Sequence, residues 1–261
     1  CNFTLAGFVK PADLPACEAH GLEALVYGTA SRGPLSRDEW KRLSDAEIEN
    51  AFVKARIENL HASYQIIREL SKIVDLTSAE DDFVVVSPDT GAVDRNKFYA
   101  TGLKKPLAML YKERDYSVVT QNAKATNILS IKLLGDVKGK VAFLADDMLG
   151  TGGTLLKAME FLKEQGATKI IAAISLPFFT GNAIEQFDEA YEKGNFFRII
   201  GTNAVYHEDL LNKEWYIKTN VSGLFAQVIS RLHHNQSLSD LLDNRNIIEK
   251  LVTQDKPVEG E

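Results

Sequence analysis

From residue 83 onward the chain alternates short apolar runs with longer amphipathic stretches. "FVVVSPD" (83–89) is a β-branched run ending in polar turn residues, which predicts a buried strand. "AVDRNKFYATGL" (92–103) reads as a helix, Pro106 follows it, and "LAMLY" (107–111) reads as a second strand. After a polar stretch around "TQNAKATN" come "KVAFLA" as strand, "TLLKAMEFLKEQG" as helix and "KIIAAISL" as strand. In that helix Leu155, Met159 and Leu162 recur at helical spacing, and Gly166 stands where a C-terminal cap belongs. "FRIIGTNAV" adds a strand and "VSGLFAQVISRLHH" a closing amphipathic helix. Strands alternating with helices predict an α/β fold: a mostly parallel sheet with helices on both faces.

Residues 1–80 follow a different pattern. The stretch up to Pro34 mixes signals and breakers, whereas the charge-rich residues 38–74 predict two helices, with Ser44 a potential break in the first. No internal repeat or low-complexity tract interrupts the chain. The expected organisation is an N-terminal part over 1–80, an α/β domain over 81–243, and a helix end with a polar tail over 244–261.

Composition narrows the class. The 261 residues, 45% of them hydrophobic, suffice for one large domain or two small ones with proper cores. A net charge of −6 argues against a nucleic-acid binder, which would show a basic face, yet leaves room for a local phosphate site. The two cysteines, Cys1 and Cys17, make no metal or disulfide framework, so a reducing, cytoplasmic setting is expected. No apolar run reaches membrane-spanning length and no signal-peptide pattern opens the chain, so no membrane partner is expected. Cys1 rather than Met comes first, consistent with a processed chain or a piece of a longer one.

Reactive residues gather at the ends of the strands. Ligands of open α/β sheets bind beyond the carboxyl ends of the strands. Asp89 follows "VVVSP", Lys112 and Arg114 follow "LAMLY", and Asp146 and Asp147 end "VAFLADD". The Asp pair runs into Thr151, Gly152, Gly153 and Thr154. Glycines let backbone N–H groups approach a ligand closely and open a helix whose N-terminus favours negative charge. Two ionised carboxylates only accept hydrogen bonds, so they suit sugar hydroxyls, directly or through a divalent cation. Carboxylates on one side and an anion-binding turn on the other point to a sugar phosphate. No Gly-Lys-Ser/Thr follows, so the turn is not a nucleotide P-loop. The bland readings are a solvated Asp-Asp cap, a solvated "KERD" charge run, and Asp89 as a turn former after Pro88.

The apolar strand, Asp-Asp and Thr-Gly-Gly-Thr turn resemble the ribose 5-phosphate loop of the phosphoribosyltransferase superfamily. "VVVSPDTGAVDR", "LYKERD", "LLGDVKGKVAFLADDM", "SLPFFTGNA", "GTNAV" and "VSGLFAQVISRLHHNQSLSDLL" narrow the resemblance to the ribose-phosphate pyrophosphokinases, over about residues 81 to 243. The resemblance implies transfer of the pyrophosphoryl group of ATP to the 1-hydroxyl of ribose 5-phosphate, with Mg²⁺ as cofactor. It implies that Lys112 and Arg114 act on the transferring group and that Asp89 helps to hold the metal-bound nucleotide. Asp146 and Asp147 would hold the ribose hydroxyls, Thr151 to Thr154 the 5-phosphate, and the chain would form a homo-oligomer, dimer or hexamer.

This sequence departs from the family in three ways. Only about 80 residues precede "FVVVSPD", so the N-terminal part is abbreviated, implying weaker hold on ATP than on the sugar phosphate. His61 in "NLHASYQI" is a weak candidate for the family's metal-binding His, and "DAEIENAF" would instead put Ser44 there. Gly150 replaces a third Asp common in the family's loop. A non-catalytic regulatory homologue, a true phosphoribosyltransferase and a shortened chain remain the alternatives.

Overall fold

The computed structural model describes residues 24–26, 57–77, 82–114 and 128–253, with side chains over 60–77, 82–111 and 131–253. The first of the two helices expected over 38–74, Ser44, both cysteines and the tail beyond residue 253 lie outside the described residues. Two short strands, β1 (Ala24–Val26) and β2 (Ile57–Asn59), pair in parallel. Strand β2 corrects the helix expected through "ARIENL": the parallel ladder to β1 overrides a segment of good helix formers, because tertiary context outweighs local propensity.

The main sheet has seven strands. They are β3 (Phe83–Ser87), β4 (Leu107–Arg114), β5 (Ile128–Leu134), β6 (Val141–Leu149), β7 (Lys169–Pro177), β8 (Arg198–Thr202) and β9 (Tyr216–Thr219). Their spatial order is β5-β4-β3-β6-β7-β8-β9. Every pairing is parallel except β4 with β5, which runs antiparallel. The α/β class and the mostly parallel sheet therefore stand as read from the sequence, with β5 and β9 as additions.

Helices cover both faces, which is why strand residues 142–145 of β6 are all buried. On one face Phe83, Val85 and Phe143 meet α1 (Ser63–Ile73), α2 (Val93–Leu103), α5 (Ser222–His233) and α7 (Arg245–Thr253). On the other, Val84, Val86, Ala108 and Leu110 meet α3 (Gly153–Glu164) and α4 (Ala183–Glu192). The alternation follows from the two-residue period of a strand. Helix α1 precedes residue 81, yet its Ile66, Ile67 and Leu70 belong to the same core as Phe83. A four-residue turn of helix, α6 (Ser239–Leu242), precedes α7, whose Ile248 and Val252 are buried in that core.

Gly166 ends α3 as expected. Its φ of +89° lets its N–H donate to the Lys163 carbonyl at 2.9 Å, while the Ala167 N–H donates to Leu162 at 3.1 Å. Those two bonds satisfy carbonyls that a helix end otherwise leaves open.

Candidate functional site

The chain builds one flank of the sheet through β3, α2, β4 and β5, then crosses back to place β6 on the other side of β3. At such a reversal open α/β sheets receive ligands in the crevice beyond the carboxyl ends of the flanking strands, here β3 and β6. Asp89 stands on its β3 side. Its Oδ1 accepts from the Ala92 N–H at 3.0 Å and so caps a 3₁₀ turn, Thr90–Ala92, that leads into α2. Asp89 is thus a turn former as well as a candidate ligand.

Asp146 and Asp147 stand on the β6 side. Arg95 of α2 bridges them: Nη1 lies 3.4 Å from Asp146 Oδ1 and Nη2 3.2 Å from Asp147 Oδ2. Each of the three side chains is only about a quarter exposed, with 26% for Arg95, 24% for Asp146 and 25% for Asp147. Burial, followed by the like charge of Asp147, pushes Asp146 up to about 7, and Arg95 opposes the rise. Adjacent carboxylates in a half-buried crevice call for donors, and sugar hydroxyls supply them.

The turn after Leu149 delivers the anion-binding half. Gly152 adopts φ +74° immediately before α3, and the space a Cβ would need lies 2.4 Å from Phe187 Cε2. Only glycine fits that conformation and that approach. Helix α3 has no side-chain N-cap, and nothing lies within 4 Å of where a Gly153 Cβ would be. Its first N–H groups thus have no side-chain cap to satisfy them, and Thr151 and Thr154 are exposed beside them. The segment after β7 supports this turn: the Thr180 N–H donates to the Gly150 carbonyl at 3.0 Å, and Phe179, at φ +44°, is buried against Phe187 and Trp215.

Lys112 and Arg114 lie in β4 itself, which runs three residues beyond the expected end at Tyr111 because β5 pairs with it. Lys112 is opposite Ile131 and Arg114 opposite Ile128, with an irregularity between Glu113 and Arg114. Ser87, the last residue of β3, is level with Met109, so both basic residues lie past the carboxyl end of β3. Their side chains are outside the described residues.

The structure thus places Asp89, Asp146, Asp147 and residues 151–154 at and beyond the carboxyl ends of the adjacent strands β3 and β6. His61 is exposed and precedes α1, its carbonyl accepting from Asn244 Nδ2 at 3.2 Å. His233 and His234 end α5, with His234 Nδ1 2.8 Å from the Ser230 carbonyl. Among the described residues no three His, Cys, Asp or Glu side chains cluster as a metal cage. Arg95 was missed by sequence reasoning; its signal is a cation early in the helix that follows a strand and an Asp turn.

Residues 54–210 match the sequence profile of the phosphoribosyl transferase domain. The chain belongs to this family. Within the phosphoribosyl transferase domain family, ribose-phosphate pyrophosphokinase A of Dictyostelium discoideum is 34% identical over 194 residues, covering 74% of this chain and 56% of the relative. A ribose-phosphate pyrophosphokinase of Caldanaerobacter subterraneus subsp. tengcongensis is 40% identical over 162 residues, 62% of this chain and 47% of the relative. The solved phosphoribosylpyrophosphate synthetase of Mycobacterium smegmatis superposes with a TM-score of 0.59 at 27% identity, covering 74% of this chain and 56% of that one. The chain spans about half the length of these relatives.

Proposed function

We propose that this chain transfers the pyrophosphoryl group of ATP to the 1-hydroxyl of ribose 5-phosphate, giving phosphoribosyl pyrophosphate and AMP. The observation that carries the reading is the Asp146–Asp147 pair set beside the glycine-threonine turn at the head of α3, in the crevice where the sheet reverses. The family match and the ribose-phosphate pyrophosphokinase relatives support it. The 5-phosphate would accept from the N–H groups of Thr151 to Thr154 and their hydroxyls, and the ribose hydroxyls would donate to the carboxylates. So held, the sugar turns its 1-hydroxyl oxygen toward the β-phosphorus of ATP. The new bond forms there, the bond from the β-phosphorus to the oxygen it shares with the α-phosphorus breaks, AMP leaves with that oxygen, and the hydroxyl proton passes to solvent.

Lys112 and Arg114 are the cations proposed to neutralise the transferring group. Asp89 would hold Mg²⁺ through Oδ2, since its Oδ1 caps the turn. A single carboxylate fits an ion that keeps its waters and sits on substrate phosphates. When bound, Mg²⁺ supplies neutralisation of phosphoryl oxygens. A homo-oligomer, dimer or hexamer, and a cytoplasmic setting complete the proposal; no helix among the described residues is long and apolar enough to cross a membrane.

The test is AMP release from ATP and ribose 5-phosphate with Mg²⁺, paired with calorimetric titration of ribose 5-phosphate into the parent and into Asp146→Ala/Asp147→Ala. Binding that weakens by about a hundredfold or more in the double variant supports the site. Unchanged affinity removes it, and sugar-phosphate binding without AMP release favours a regulatory homologue.

A further inference from the structure

Strands β3 and β6 pair from Phe83 opposite Val141 to Val86 opposite Leu144, and the ladder ends there. Ala145 comes next on β6 and immediately precedes Asp146. Its two backbone groups are met by one side chain, that of Asn96 on α2, which is fully buried at 0% exposure. The Ala145 N–H donates to Asn96 Oδ1 at 2.9 Å, and Asn96 Nδ2 donates back to the Ala145 carbonyl at 2.9 Å. The carboxamide thus stands where a further peptide group of β3 would be, offering the same donor and acceptor. The other hydrogen of Nδ2 goes to the Ala92 carbonyl at 2.8 Å. Ala92 is the residue whose N–H binds Asp89 Oδ1. One amide therefore ties the turn that carries Asp89 to the backbone that carries Asp146.

We propose that Asn96 is a positioning residue that fixes the spacing of Asp89 and the Asp146–Asp147 pair across the crevice. The identity of the ligands so aligned rests on the proposed function; the clamp itself does not. Beyond the last ladder pair β6 continues against β7, and no further ladder bond ties it to the end of β3. An apolar residue at this position would leave the Ala145 N–H and carbonyl buried without partners. An aspartate would keep an acceptor for the Ala145 N–H and lose both donors. The carboxamide meets all three backbone groups and adds no charge to compete with Arg95 for the Asp pair. Consecutive residues divide the work: Arg95 reaches the carboxylates and Asn96 holds the chain behind them.

The experiment compares Asn96→Ala and Asn96→Asp with the parent in the full chain, by amide hydrogen exchange and by calorimetric titration with ribose 5-phosphate. Exchange at the Ala145 N–H should accelerate by about tenfold or more while Phe143, inside the ladder, keeps its parental rate. Equal acceleration at both would overturn the clamp and leave Asn96 a general stabiliser. Ribose 5-phosphate should bind about tenfold more weakly, and combining Asn96→Ala with Asp146→Asn should cost less than the sum of the separate losses. Additive losses, or unchanged affinity in both Asn96 variants, would overturn a role through Asp146. Should Asn96→Ala fail to fold, Asn96→Asp carries the same comparisons, because it keeps size and one of the bonds. A parent that does not bind ribose 5-phosphate would sink the proposed function, and the exchange comparison would then decide the clamp alone.

Discussion

Arg95 lies against both adjacent carboxylates, and its charge opposes the rise that burial and Asp147 impose on Asp146. Asp146 is raised from 3.8 to about 7, so the folded chain favours its protonated form. The stabilisation from that protonated form is complete below about pH 4 and is lost as pH rises through about 7. Replacing Asp146 by Asn should therefore raise the urea midpoint at about pH 8, with the gain shrinking below pH 7 and vanishing below about pH 4. An advantage that grew toward acid would reverse the sign and refute the assignment. Arg95→Met should move the Asp146 carboxyl titration, followed by carbon NMR, further upward, because it removes the opposing charge. At Lys112, Ala should lower kcat by about two orders of magnitude with little change in KM for ribose 5-phosphate, if that ammonium acts on the transferring group. The carboxylates and the turn were legible in the sequence because they are contiguous. Arg95 was not, because its partner Asp146 is 51 residues away and only the sheet brings them together.

At the scale of elements, the turn before α3 is the most constrained piece. Gly152→Ala must place a Cβ in left-handed backbone and within 2.4 Å of the Phe187 ring. That should cost about 2 kcal/mol or more in chemical unfolding and weaken ribose 5-phosphate binding, whereas Gly153→Ala, with open space, should leave stability nearly unchanged. Equal costs at the two glycines would mean that the ring does not brace the turn. The strands β3, β6, β7 and β8 were readable because helices cover both faces and their runs are continuously apolar. Strand β5 lies at the sheet edge among the described residues, and its exposed Lys132 and Leu134 blur the pattern. Strand β9 holds only four residues, and β2 owes its form to a distant partner rather than to its own composition.

Across the whole molecule, α7 and α1 close one face of the sheet together. Asn244, just before α7, donates to the His61 carbonyl at 3.2 Å, and Ile248 is fully buried against the same core as α1. Ile248→Ala should cost about 2 to 4 kcal/mol in urea unfolding with ribose 5-phosphate affinity retained, because α7 lies away from the crevice. A loss of affinity at full folding would tie α7 to the site instead. The strand order has a consequence for the order of events in folding. Strands β3 to β5 can collapse on nearby chain, as can β6 to β9, whereas Val86 and Leu144 meet only after a long intervening loop has closed. If the two halves nucleate separately, the join between β3 and β6 is a seam between them, and a ligand that touches Asp89 on one side and Asp146 on the other would be sewn across it. Such a compound should slow unfolding more than an equally tight one confined to the α3 turn, because only the former must be released before the halves can part.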